Sequence, residues 1–427
     1  MGSKLNILII SYSYDPAPTP RAIRWTTLYN QFLSEGHNVQ VISSKSSLQE
    51  RDLQNKDIHY VGISFQKLIK SANNTLNSEN APQLSSIFLL LKKLIYKLLS
   101  KIHNLFIKPF RWPDFAWPFI IFGLMSALKL TKRNKYDLIV TVSHPFSSHI
   151  IGVFIKYFNP DLKWIADNGD PFALMEKPQV NNFFLYKRLN LLAESKVVDM
   201  CDYFTVTTHD TKKLYESSLR FDAKKIKVIG PLLSNQALRA FENKVNLNID
   251  KDVLKFNFFG TLYSTIRNPS YLINVLELLS NRLQETVEIN FYGEPNDYVY
   301  RNICKENFRV TFHGVLSREE VLEKINTSGI LLNIGNANKY QLPSKLVEYI
   351  ASGNPIINFA SISEDSSSLF LSEFHETLSI FQNEGTENEH AQSIYDFIIN
   401  IKKLGNKLPR SVNAFSPSYI SKKYLEL

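Results

Sequence analysis

Cysteine is nearly missing from this chain: its 427 residues include only Cys201 and Cys304, and neither sits in a CxxC pair or a His/Cys cluster. That scarcity argues against a disulfide framework or a structural zinc site and fits a reducing compartment. Long apolar runs are missing too. Nothing reaches the roughly 18 uninterrupted apolar residues that a membrane-spanning helix needs. The opening run, Leu5 to Ile10, leads straight into a polar loop, so it reads as a buried strand and not as a signal peptide. No short tandem repeat and no acidic DxD-like metal motif at a strand end stands out, so no metal is expected.

What is present belongs to a soluble globular protein of two ordinary domains, with 44% hydrophobic and 21% charged residues. The net charge of +9 permits nucleic-acid, anionic-lipid or phosphorylated partners without selecting one of them. Its placement along the chain says more.

The first stretch alternates strand and helix signals. Strands are expected at Leu5–Ile10, Asn38–Ser43, Asp137–Val142, Lys163–Ala166, Tyr203–Thr208 and Lys225–Ile229, with helices near 21–35, 147–158, 181–198 and 209–217. Apolar strands alternating with helices mean a parallel sheet covered on both faces. A second series follows a low-signal stretch at 234–252. Its strands Phe256–Phe259, Val287–Tyr292, Val310–His313 and Ile330–Ile334 run into Gly260, Gly293, Gly314 and Gly335, and Pro355–Phe359 closes the set. Ligands sit at the carboxyl ends of parallel strands, and glycine lets backbone approach them. Helices are expected there at 269–281, 317–326 and 343–352.

Residues 81–113 fit neither sheet. They hold six Lys or Arg and no Asp or Glu. On a helical wheel, Leu91, Leu94, Ile95, Leu98, Leu99 and Ile102 fall in one arc, with Lys92, Lys93, Lys97 and Lys101 beside or opposite it. A broad apolar face rimmed by lysine is how a helix lies in lipid headgroups, though a core-facing amphipathic helix has the same look. Trp112, Phe115 and Trp117 follow directly. The expectation is a membrane-contact segment at 84–111.

The most specific stretch runs from Tyr340 to Ile357 and contains Pro343-Ser344-Lys345, Glu348-Tyr349 and Gly353-Asn354-Pro355. Pro343 suits the first turn of a helix, whose unpaired amides attract phosphate, and Lys345 adds positive charge in that turn. Glu348 lies nearly one turn on, where a carboxylate can accept both hydroxyls of a ribose. This stretch resembles the donor-site helix of retaining GT-B glycosyltransferases of family 4, in the PSKxxEY variant of bacterial polysaccharide enzymes. The resemblance spans nearly the whole chain and is strongest at 330–357. It implies that Glu348 holds a nucleotide ribose and that Lys345, with Ser344 beside it, lies near the diphosphate. The family's paired-glutamate pattern places a second Glu where this chain has Tyr340, which leaves the grip on the donor sugar open.

The same resemblance gives the turn Gly260–Pro269 a glycine and a basic residue facing the diphosphate. Arg267 suits that role, since guanidinium matches phosphate in a bidentate way; a plain surface Arg before a helix is the alternative. Val310–Val315 resembles the segment that contacts the base through backbone. In the first domain, the proline-rich turn Tyr12–Arg21 replaces a glycine-rich one, with Arg21 and Arg24 keeping charge nearby. Trp164–Phe172 is similar to the family's acceptor segment with its expected Arg missing. Asp167 and Asp170 there either bind and deprotonate an acceptor hydroxyl or serve turns and caps. His144, at another strand end, lines the cleft or is structural.

Together these imply a GT-B α/β fold, two doubly wound Rossmann-like domains facing a central cleft. The expected divisions are an acceptor domain at 1–233, a linker at 234–252, a nucleotide-sugar domain at 253–410 and a C-terminal helix at 411–427 packing back on the first domain. The implied activity moves a sugar from a nucleotide-sugar to a glycan or lipid-linked oligosaccharide in capsule, O-antigen or exopolysaccharide synthesis, with retention and without metal. Its place would be cytoplasmic, on the inner face of the plasma membrane against anionic lipid. A nucleotide-sugar epimerase on the same architecture and a non-catalytic membrane-bound subunit are the alternatives. Nucleic acid is not an expected partner, because the basic cluster alternates with Leu and Ile and not with stacking aromatics.

Overall fold

The computed structural model describes residues 3–47, 55–62, 108–175, 180–218, 223–242, 252–264, 267–294, 301–404 and 412–427. The helix expected within 84–111 therefore lies outside the described residues, apart from a short turn at Lys108–Phe110. Two compact units result: residues 1–229 with 425–427, and residues 230–424.

The first unit runs β1 (Asn6–Ser11), α1 (Pro20–Ser34), β2 (Asn38–Ser44), β3 (Ile58–Val61), α2 (Trp117–Arg133), β4 (Leu138–Ser143) and α3 (Ser147–Phe158). It continues with β5 (Lys163–Asn168), α4 (Phe183–Met200), β6 (Tyr203–Val206), α5 (His209–Ser218) and β7 (Ile226–Val228). All seven strands are parallel, in the order β3-β2-β1-β4-β5-β6-β7. Every residue of β4 is buried, as strands covered on both faces require. Leu8, Ile10, Ile139, Trp164 and Phe204 share a core with Phe119 of α2, Ile151 of α3 and Val197 of α4.

The second unit holds α6 (Asn235–Glu242), β8 (Val253–Phe259), α7 (Ser270–Ser280), β9 (Thr286–Tyr292), β10 (Ile303–Cys304), β11 (Phe308–Gly314), α8 (Arg318–Thr327) and β12 (Ile330–Ile334). It ends with α9 (Lys345–Ser352), β13 (Ile356–Ala360), α10 (Ser366–Leu371), β14 (Thr377–Phe381), α11 (Glu387–Leu404) and α12 (Pro417–Leu425). The sheet order is β10-β11-β9-β8-β12-β13-β14, parallel except for the short β10–β11 pair. Helix α6 occupies the start of the stretch expected to be a linker and packs on α8 and α9. The expectation missed it because eight residues with two buried side chains, Ala237 and Phe241, leave little periodicity.

Setting the antiparallel β10 aside, both sheets are doubly wound in the same way. Strand order reverses between β1 and β4 in one and between β8 and β12 in the other. Crevices at such switch points, outside the carboxyl ends of the strands, are where open α/β sheets bind ligands. Among the described residues no helix is long and apolar enough to cross a membrane.

Candidate functional site

In the second unit β8, β9, β11 and β12 run into glycine at the carboxyl edge of the sheet. Gly260 follows β8 and donates its amide to Tyr292 O at 2.9 Å, and Gly293 follows β9 and donates to Gly314 O at 2.8 Å. Gly335 follows β12 and donates to Phe359 O at 2.9 Å. Gly293 has φ of 150°, and a Cβ there would fall 2.0 Å from Gly260 O. Only glycine fits that approach of one strand end to the next.

Basic groups gather around this edge. At the switch point Arg267 Nε donates to Asn336 Oδ1 at 2.8 Å, joining the segment after β8 to the loop after β12. A Cβ at Gly260 would lie 3.9 Å from Arg267 Nη1, so the guanidinium sits beside that turn. Asn336 Nδ2 donates in turn to Gln341 O at 2.9 Å, and Asn338 Oδ1 accepts the amides of Tyr340 and Gln341. These bonds shape the loop that leads into α9.

At the head of α9 the Ser344 hydroxyl makes no capping bond, which leaves the first-turn amides without a side-chain acceptor. Lys345 sits in that turn. Burial pushes its ammonium pKa below the usual lysine range, with Glu348 opposing the shift and Arg318 adding to it. Glu348 is buried, and Arg318 grips it by both oxygens, Nη2 to Oε1 at 2.6 Å and Nη1 to Oε2 at 3.0 Å. Lys345 Nζ stands 3.5 Å from Oε2. Each oxygen of an ionised carboxylate accepts two hydrogen bonds, so Glu348 keeps acceptor capacity beyond the Arg318 fork. Tyr349, one residue on, accepts the Phe259 amide at 3.0 Å and so ties α9 to the end of β8.

Arg318 is the residue that sequence reasoning missed. Its neighbours carried a readable signal: Ser317 and Glu320 form a complete capping box at the start of α8, which puts Arg318 in the first turn. Its choice of Glu348 as partner has no local signature. A stack of rings crosses the strand ends, Tyr292 on Phe259 at 4.9 Å and on His313 at 4.5 Å. Burial holds His313 below the usual histidine pKa. Val315, in the segment expected to meet a base, is 66% exposed.

The first unit treats its two aspartates differently. Asp167, on β5, is buried, with Oδ2 accepting from Arg21 Nη1 at 2.9 Å and Trp25 Nε1 at 2.8 Å. Its Oδ1 accepts from Thr205 at 2.7 Å. Thr19 caps α1 with Pro20 in its first turn, which aims Arg21 at the sheet. Arg21 lies flat over Gly169, where a Cβ would fall 1.7 Å from Nη2. A carboxylate so occupied anchors the arginine.

Asp170, three residues on, is partly buried and makes no hydrogen bond or ion pair among the described residues. Its loop is pinned from below by Glu194 of α4, fully buried, which accepts the amides of Phe172 at 2.9 Å and Ala173 at 2.8 Å. Tyr215 donates to the same carboxylate at 2.5 Å and accepts from Asn168 at 2.8 Å. Burial raises the Glu194 pKa, against the pull of those three donors. Sequence reasoning missed Glu194 because a lone Glu in a helix carries no signal of its depth. His144 leaves β4 through a cis peptide and is partly buried, while its neighbour His149 is fully buried with Thr141 Oγ1 2.7 Å from Nδ1. Among the described residues no group of three or more His, Cys, Asp or Glu side chains is placed to hold a metal.

Two doubly wound sheets, one with a glycine edge ringed by Arg267, Lys345 and the Glu348–Arg318 pair, define a two-domain Rossmann-like protein of the GT-B architecture. Among solved structures, a glycosyltransferase from Rickettsia africae matches with a TM-score of 0.55 at 14% identity, covering 100% of this chain and 98% of its own. The glycotransferase of kitacinnamycin matches with a TM-score of 0.52 at 11% identity, covering 100% and 99%. A UDP-N-acetylglucosamine 2-epimerase matches with a TM-score of 0.54 at 11% identity, covering 100% and 95%. No protein-family model matches the chain, and no curated protein matches it in sequence.

Proposed function

We propose that this protein is a glycosyltransferase whose second unit binds a nucleotide-sugar and whose first unit binds the acceptor. The observation that carries the reading is the gathering of Arg267, Lys345 and Glu348 at the glycine edge of the second sheet, beside its switch point. Glu348 takes the ribose hydroxyls, and Arg318 holds its carboxylate in place for them. The departing diphosphate gains negative charge as the glycosidic bond breaks. Arg267, Lys345 and the amides of α9 stabilise that charge, a task other transferases give to a metal.

On the acceptor side Asp170 is the free carboxylate and positions a hydroxyl, while Asp167 keeps Arg21 in place. The resemblance to family 4 favours retention, with the donor's own phosphate as base. It also favours a lipid-linked glycan of surface-polysaccharide assembly as acceptor, in line with the basic segment at 84–111. A second reading draws on the fold shared with the epimerase: such an enzyme turns over its nucleotide-sugar with no acceptor at all.

A thermal-shift screen against UDP, GDP, ADP, CMP and TDP tests the donor site. Ligand at roughly 100 times its dissociation constant adds about 2.7 kcal/mol of stability. One nucleotide is expected to stabilise the wild type and neither Lys345→Ala nor Glu348→Ala. No shift with any nucleotide would sink the reading. Conversion of the matching nucleotide-sugar without acceptor would select the epimerase.

A further inference from the structure

Helices α2, α3 and α4 lie side by side on one face of the first sheet, with α3 packed against both neighbours. Their inner sides are core. Their outer sides carry large apolar groups in place of the polar face that a helix on a soluble protein shows to water. On α2, Trp117, Ile121 and Met125 recur every four residues and are 40%, 53% and 66% exposed. On α3, Phe154 and Tyr157 are 42% and 72% exposed. On α4, Phe184 is fully exposed and Leu192 is 67% exposed. Single exposed apolar residues need no explanation, but three adjacent helices presenting them together form a patch of the kind that marks an interaction surface.

The exposed charges on these helices are mostly positive. Lys129, Lys132 and Arg133 close α2, and Lys187, Arg188 and Lys196 lie on α4. Glu194 and Asp199 are the only acids in the three helices; Glu194 is buried under the sheet-facing side, and Asp199 sits at the last turn of α4. Aromatic and aliphatic groups with a cationic rim complement lipid: tryptophan favours the headgroup level, and lysine stems run along apolar surface while their ammonium groups reach phosphate.

We infer that the outer face of α2, α3 and α4 seats the first unit on an anionic bilayer surface. The seating is built into the fold of the first unit, separate from the basic segment at 84–111, and it holds whatever reaction the second unit's site performs.

Flotation of the full chain with vesicles tests it, comparing phosphatidylcholine alone with phosphatidylcholine mixed with phosphatidylglycerol. The variant Met125→Ser/Tyr157→Ser/Phe184→Ser/Leu192→Ser changes only exposed groups, so its fold and its nucleotide thermal shift stay as in the wild type. Its partition into the mixed vesicles is expected to fall about tenfold or more. Lys187→Glu/Arg188→Glu/Lys196→Glu is expected to lose the preference for phosphatidylglycerol. The variant Lys92→Glu/Lys93→Glu/Lys97→Glu/Lys101→Glu is expected to keep the part of the binding that the serine variant loses. A wild type that stays off both vesicles would overturn the inference, and so would a serine variant that floats as well as the wild type. It is likewise overturned if the wild type is a dimer that the serine variant makes monomeric, because the face then belongs to a second copy.

Discussion

The two sheets are wound alike but finished differently at their carboxyl edges. In the first, the strands end in buried polar side chains: Ser11, Ser43, Ser143 and the pair Asp167–Asn168. In the second they end in Gly260, Gly293, Gly314 and Gly335. A floor of side chains is already shaped, and its hydrogen bonds are largely used internally, as Asp167 shows. A floor of glycine ties its amides to neighbouring strand ends and leaves space above them, with charge supplied from the surrounding segments. The same topology thus makes one edge with a fixed polar surface and one with open space bordered by basic side chains.

The comparison is broken most severely by closing the glycine edge. Gly293→Ala would drive a Cβ into the Gly260 carbonyl, 2.0 Å away, so backbone on both strands must move. A loss of about 3 kcal/mol or more is expected in denaturant unfolding of the second unit. A neutral alanine would mean that the edge is looser than its geometry.

The next test separates the two aspartates. Asp167→Asn withdraws the charge that holds Arg21 and is expected to cost about 2–4 kcal/mol of stability. Asp170→Asn touches no internal partner and is expected to stay within about 0.5 kcal/mol of the wild type. Its transfer to acceptor should still fall about tenfold or more. Equal stability losses in the two would erase the distinction between anchor and free carboxylate.

Smallest per pH unit is an effect at the side-chain floor. Burial lowers the His149 pKa from 6.5 to about 3, with Asp167 opposing and Arg21 and His144 adding to the shift. The folded imidazole stays neutral while the unfolded one takes a proton, so stability falls as pH drops from about 6.5 toward 3. The slope is at most about 1.4 kcal/mol per pH unit. His149→Asn is expected to flatten this limb in acid titrations of the unfolding free energy, and an unchanged limb would point to another group.

Much of this was legible before any coordinates. The central strands of both sheets are short apolar runs bounded by polar or glycine residues, which is what burial on both faces demands, and the glycines marked the carboxyl ends of four strands of the second sheet. Helix α2 was not legible. Its outward Trp117, Ile121 and Met125 remove the polar face by which a surface helix is recognised, so its residues merged with the basic stretch before them. The strand β14 escaped because Thr377–Phe381 has no fully apolar core, only Ile380 being buried. In the site, Lys345 and Glu348 were visible because they share one helical turn. Arg318 and Glu194 were not, since each meets its partners from across 20 residues or more of chain, at 30 for Arg318 and Glu348 and 22 for Phe172 and Glu194.

The Asn168–Gly169 step has a consequence for chemical ageing. An asparagine followed by glycine is the pair most prone to lose its amide, because the unhindered glycine nitrogen can close on the side-chain carbon. Here strand pairing holds the backbone of Asn168 extended, Tyr215 holds its amide, and Arg21 presses on Gly169. The reaction therefore needs this edge of the first sheet to open. Conversion of Asn168 to aspartate, read by peptide mass, would serve as a slow clock of how often that edge comes apart.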